Sequence, residues 1–247
     1  MRVSLQGWRV LAIWIGLITL GGASLQRLTG MGFALVAAPG LVLLLGPWQG
    51  VLLTNAAACA ISSIGLASTW RRVTWSSMLP LVGAAALTIP AGAWVADKLS
   101  AQSLLVGVGT VVVVSVLLVL AGVRVHALSG RTGAITAGAA SGFMNATTGA
   151  GGPPISLYAT NAGWSAAKFV PNMQVYSVMA NSLSLMVRGA PRLTWFAWSL
   201  AGIGVVGGAL IGTALAKQIT DVRLKGLVMG LALMGGTVLL LKGLTTG

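Results

Sequence analysis

Asn145, Thr147 and Thr148 stand in the run GAASGFMNATTGAGGPP at 138–154, where five of seventeen residues are glycine and two prolines close the stretch. Glycine weakens a helix and proline breaks one, so the run predicts an interrupted helix. Such a break leaves N–H groups without intrahelical partners at the positive end of a macrodipole, and both favour an anion. The two hydroxyls and the carboxamide add neutral donors. No charge falls between Arg131 and Lys168, which places the break inside an apolar stretch and not in an exposed loop. In lipid, irregular backbone persists where protein buries it or where it lines a polar cavity. Transporters use breaks of this kind to hold anions.

The run has a counterpart. Thr148-Gly149-Ala150-Gly151 repeats Thr29-Gly30-Met31-Gly32 at a distance of 119 residues. Arg188 follows Arg71 by 117, Thr194-Trp195 follows Thr74-Trp75 by 120, and Gly212 follows Gly92 by 120. Four landmarks in one order, separated by about half the chain, predict a duplicated unit. The candidate anion site is therefore Thr29, Gly30, Met31 and Gly32 from the first break, with Asn145, Thr147, Thr148, Gly149, Gly151 and Gly152 from the second. Arg27, just before the first break, adds a candidate fixed positive charge or a snorkelling interface residue. For the threonines and Asn145, an interhelical hydrogen bond is the competing role. Asn172, Gln174, Tyr176 and Asn181, with Asn55 in the corresponding span, read as glue between helices.

Other chemistry lacks its residues. Cys59 is the single cysteine and His126 the single histidine, and they fall in different surroundings, an apolar run and a charged connection. Neither metal-ligand spacing nor a nucleophile–base pair emerges, so no enzyme, metal or other cofactor is expected. Asp97 and Asp221 sit beside basic residues at the ends of apolar runs, which leaves no carboxylate for an intramembrane proton relay.

Composition sets the class. Hydrophobic residues make up 56% of the chain and charged residues 7%, against about 25% in soluble domains. The net charge of +13 is spread singly and in pairs between apolar runs. That pattern fits membrane anchoring and not a nucleic-acid face. Residues 10–26 follow Arg2 and Arg9 and resemble a signal peptide, but they carry the start of the first repeat. Uncharged spans at 50–70, 73–96 and 99–123 recur as 169–187, 193–216 and 226–241.

The opening of each repeat is ambiguous. The uncharged stretch at 132–167 is too long for one span and too short for two with a turn. Either one broken helix crosses once, or two short pieces enter and return. Crossing once gives parallel repeats and puts nine basic residues on the N-terminal side against five; an odd number of passages gives six against eight, or eight against six with the N-terminus outside. The positive-inside bias favours the first arrangement. The expected fold is an all-α polytopic membrane protein of two homologous repeats. Each repeat has a discontinuous Gly-rich opening segment and three further spans, about eight crossings in all. Residues 1–123 form the first repeat, 124–131 the connecting loop and 132–247 the second repeat.

These residues resemble the sulfite exporter family of the TauE/SafE type. The resemblance rests on Gly138 to Pro154, on Gly30-Met31-Gly32 running into Pro39, and on Val73-Thr74-Trp75 with Leu79-Pro80. Pro90-Ala91-Gly92-Ala93 and Gly207-Gly208 with Gly212 add to it. It covers nearly the whole chain, although Phe33-Ala34 stands where the second break has Gly152-Pro153. The resemblance implies a multi-pass inner-membrane secondary transporter that moves sulfite, a sulfonate or a related sulfur anion, mostly outward. Another small anion such as a carboxylate is the alternative, and an intramembrane enzyme a weaker one. The expected partners are a small anionic substrate and the lipid bilayer, with no nucleic acid; a homodimer is left open.

Overall fold

The computed structural model describes residues 5–30, 32–121, 130–216 and 221–245. Arg2, Met31, Arg124, His126 and Lys217 lie outside them, as does the connecting loop apart from Gly130 and Arg131, which already belong to a helix. The described residues form ten α-helices and one 3-10 turn, with no strand. In order they are α1 (Leu5–Thr29), α2 (Phe33–Leu45), α3 (Pro47–Thr69), α4 (Trp75–Lys98) and α5 (Ala101–Leu120), then α6 (Gly130–Thr148), α7 (Gly152–Asn161), α8 (Ala166–Arg188), α9 (Trp195–Leu215) and α10 (Asp221–Thr245). Helices α1, α3, α4, α5 and α9 are long and apolar enough to cross a membrane.

Local chemistry explains the boundaries. Helix α2 starts after Gly32, whose φ of 111° suits glycine alone, and stops at Gly46. Pro47 then opens α3, where its missing N–H costs nothing. Thr194 caps α9 by accepting a hydrogen bond from the Ala197 N–H at 3.3 Å. Helix α8 is as long as the spans but less apolar, because Asn172, Gln174, Asn181 and Ser184 are buried within the bundle and not turned to lipid.

Contacts between helices fix their directions. Gly16 of α1 lies against Leu200 of α9, Gly208 against Leu20, and Gly212 against Ser24 and Arg27. Helices α1 and α9 therefore run the same way. Helices α4 and α6 do likewise, with Leu81 by Gly138, Ala85 by Gly142 and Phe143 by Gly92. The pair α3 and α8 runs in opposite directions: Cys59 faces Ser182, Ser62 faces Ser177, and Gly65 faces Gln174. So does the pair α5 and α10, with Gly109 by Gly236 and Gly243 by Val106. Glycine at the closest of these contacts lets backbone touch backbone, the usual device for packing helices in lipid.

The two opening segments fold back on themselves. Gly22 of α1 lies against Ala37 and Phe33, and Gly40 of α2 lies against Ile18, so α2 returns alongside α1. Gly151, at the foot of α7, sits by Ser141 and Asn145 of α6, and Tyr158 near the end of α7 shares an opening with Ala134 and Arg131 at the start of α6. Each opening segment is thus a helical hairpin and not one continuous broken helix. The 13 residues of α2 reach only about 20 Å and the 10 of α7 about 15 Å, both short of the roughly 30 Å hydrocarbon core.

Candidate functional site

The residues that enter the site belong to six helices. Gly30 and Gly32 of the first break and Gly149, Gly151 and Gly152 of the second all line one cavity of about 60 Å³. Gln26 (α1), Asn145 (α6), Ala58 (α3), and Tyr176, Ser177 and Asn181 (α8) complete its polar and central walls, with Phe33 and Ala34 at the start of α2. A water needs about 10–15 Å³ by this measure, so the space suits a cluster of a few such groups, the size of a small oxyanion. No lining residue is charged. Ala58 and Ser177 lie halfway along α3 and α8, which puts the cavity at mid-depth of both helices.

Positive φ makes the breaks possible. Gly30 at 79°, Gly32 at 111° and Gly149 at 74° adopt left-handed backbone, which reverses the chain within three residues. The reversal aims the first turns of α2 and α7 inward, and no side chain caps either turn. The two ends differ in donor count. Phe33, Ala34 and Leu35 keep their N–H groups, whereas Pro153 and Pro154 at the start of α7 have none. The α2 end therefore offers more free N–H donors than the α7 end. Gly151 is held in place by a short chain of hydroxyls: the Tyr176 hydroxyl donates to Ser141 Oγ at 2.7 Å, and Ser141 donates to the Gly151 carbonyl. That carbonyl is thereby occupied.

Of the residues expected in the site, the glycines and Asn145 come together and the threonines do not. Thr29 donates to the Leu25 carbonyl at 2.8 Å, Thr147 to Phe143 at 2.9 Å and Thr148 to Met144 at 2.8 Å. Each hydroxyl is bonded one turn back in its own helix, and none of the three lines the cavity. Arg27 is also outside it: Nε donates to Thr213 Oγ1 of α9 at 3.2 Å. Met31 lies outside the described residues. Asn145 lines the cavity and donates to Ser184 Oγ at 3.0 Å, while its carbonyl accepts from Asn55 Nδ2 at 3.4 Å.

Arg188, at the end of α8, is drawn inward. Its side chain is 4% exposed, and Nη1 donates to the Ala146 carbonyl in the last turn of α6 at 2.7 Å. A cation there opposes the negative end of α6. Its other nitrogen stands 3.9 Å from Asp97, whose side chain is 66% exposed. Arg71, its counterpart by spacing, instead stacks on Trp70 with 5.3 Å to the ring centre.

Gln26, Ser62, Ser141 and Ser177 were not anticipated. Gln26 Nε2 donates to Ser62 Oγ at 2.8 Å, Ser62 donates to Ser177 Oγ at 2.9 Å, and Asn181 Nδ2 donates to Ser177 Oγ at 2.9 Å. A signal for α8 was present: polar residues at 174, 177, 181 and 184 recur every three to four residues, one stripe of a helix. Gln26 had no comparable signal, standing beside Arg27 at the end of α1.

The family model for the sulfite exporter TauE/SafE family matches residues 14–239. No curated protein and no solved structure matches the chain.

Proposed function

Because the chain belongs to the sulfite exporter TauE/SafE family, we propose that it is a multi-pass secondary transporter of the inner membrane. Its cargo is a small sulfur-containing anion, sulfite or a sulfonate, bound between the two Gly-rich breaks. The observation that carries this reading is the meeting of Gly30, Gly32, Gly149, Gly151 and Gly152 on one uncharged cavity. Uncapped helix starts supply donors there, and no carboxylate lines the wall to oppose an anion.

The helix directions support two repeats of opposite orientation. If α3 and α8 are counterparts, their opposed directions require a two-fold axis in the membrane plane, as in other inverted-repeat transporters. Helices α3, α4 and α5, and then α8, α9 and α10, make six complete crossings. The pairs α1–α2 and α6–α7 start from opposite faces and double back at their glycine breaks. This replaces eight crossings in parallel repeats; the boundaries 1–123, 124–131 and 132–247 are kept. Exposed Trp70 and Trp75 then mark one face, and Trp8, Trp48, Trp94 and Trp195 the other. Divided by sequence between these helix ends, the basic residues number eight on the side of the connecting loop and six on the other. Eight against six puts the connecting loop in the cytoplasm.

Outward movement of an anion needs no proton relay, since an inside-negative potential supplies about 2.3 kcal/mol per charge per 100 mV. Labelled sulfite flux in liposomes reconstituted with the purified protein tests the function. Flux above protein-free liposomes is expected, with little flux of acetate. Acetate flux exceeding that of sulfite and methanesulfonate would assign the carboxylate alternative instead.

A further inference from the structure

We propose that the cavity takes a monoanion, hydrogen sulfite or a singly charged sulfonate, in preference to a dianion, and that the Ser177 hydroxyl is the donor that recognises it. The proposal rests on the transporter reading above and names the substrate class of the same cavity.

Charge is the first observation. No ionised side chain lines the cavity; Arg27 and Arg188 stand off its wall, bonded to Thr213 and to the Ala146 carbonyl. The Born cost of taking an ion from water grows with the square of its charge, so a dianion costs roughly four times as much as a monoanion of the same size. Neutral donors offset part of that cost for one charge. A second charge, without a countercharge, is rejected.

The second observation is a directed chain of donors. Gln26 Nε2 can only donate, and it donates to Ser62 Oγ at 2.8 Å. Ser62 has one proton and gives it to Ser177 Oγ at 2.9 Å. Asn181 Nδ2 is oriented by the Ser177 carbonyl, to which it donates at 2.7 Å, and it also donates to Ser177 Oγ at 2.9 Å. The Ser177 oxygen thus accepts twice, while its own proton has no acceptor among the described residues. Two incoming donors polarise that hydroxyl and make it a stronger donor. Ser177 stands on the cavity wall, and the ligand that answers an unmatched donor is an acceptor, an anionic oxygen. Gln26, Ser62 and Asn181 are then positioning residues.

A pH experiment separates the two charge states because sulfite titrates and methanesulfonate does not. Tyr176 donates to Ser141, and Cys59 on α3 faces Ser182 at 3.3 Å. Helix α2 carries no titratable side chain and α7 carries only Tyr158. Arg131 stands at the far end of α6, and Asp97 at the exposed end of α4.

Initial flux into proteoliposomes is measured at fixed total sulfite and fixed potential from neutral pH upward, with the leak of protein-free liposomes subtracted. Methanesulfonate serves as a monoanion at every pH. Sulfite flux is expected to fall with the hydrogen sulfite fraction, about tenfold per pH unit once past its ionisation, while methanesulfonate flux stays level. Ser177→Ala should raise the half-saturating concentration of both anions about tenfold, the loss of one charge-assisted hydrogen bond, at unchanged maximal flux, and Ser177→Thr should restore it. Sulfite flux that holds or rises with pH, or methanesulfonate flux that is absent or falls in parallel, overturns the monoanion assignment. An unchanged half-saturating concentration in Ser177→Ala overturns the role of Ser177. No flux of either anion at any pH would instead remove the transporter reading itself.

Discussion

Thr148 shows that a hydroxyl beside a glycine break can be spent on its own helix. Its hydroxyl donates to the Met144 carbonyl and its side chain stays off the cavity wall. Thr148→Val should therefore leave sulfite flux within about twofold of the parent, less than the roughly 1 kcal/mol of a lost net hydrogen bond would give at a ligand. Flux measured beside the parent checks this. Gly151→Val is a poor probe of the site, because a Cβ there would come 2.8 Å from both Asn145 Cβ and the Ser141 carbonyl. Arg188 matters through the carbonyl it satisfies. Arg188→Met leaves the Ala146 carbonyl buried and unpaired, at a cost of about 1–3 kcal/mol, and a thermal melt in detergent should register it as lower stability. The glycine breaks were legible in the sequence because lipid penalises loose backbone so heavily. The hydroxyl partners were not, since a threonine chooses between its own helix and a ligand by rotamer and surroundings. Gln26 and Ser177 owe their roles to Ser62, which lies 36 residues from the first and 115 from the second.

At the scale of the element, spacing carried the spans and tertiary contact decided their direction. The stretches 50–70, 73–96 and 99–123 became α3, α4 and α5 with small changes at their ends. The first opening segment doubles back, because Gly30 and Gly32 both take positive φ and turn α2 back along α1. A sequence containing Gly-x-Gly permits that reversal without demanding it. Packing of α1 on α9 depends on Gly204, Gly208 and Gly212, spaced by four and set against Thr19, Leu20 and Ser24. A side chain at the middle position would run into the Leu20 carbonyl. Gly208→Leu should separate the two helices and sharply lower the yield of folded protein in membranes, while Gly207→Leu, whose nearest neighbour is the Leu20 side chain at 3.6 Å, should be tolerated. Immunoblots of membrane fractions compare the two.

For the whole molecule, the duplicated landmarks pointed to two halves, and their relative orientation waited on which helices touch. The opposed directions of α3 with α8 and of α5 with α10 lead to the inverted arrangement proposed above. Reporter fusions after Val125 and at Gly247 should accordingly read opposite faces, the first cytoplasmic; the same face for both would restore parallel repeats. The central claim, that the anion passes between the two breaks, is tested most directly at Gly152. This residue lines the cavity, and a Cβ there would meet nothing within 4 Å, so a larger side chain fills the cavity without displacing backbone. Gly202 of α9 is equally unobstructed but faces outward. Labelled sulfite flux in proteoliposomes holding equal amounts of folded protein should fall at least about tenfold, roughly 1.4 kcal/mol, in Gly152→Leu and stay near the parent in Gly202→Leu. Parental flux in Gly152→Leu would mean that the anion does not pass between the breaks.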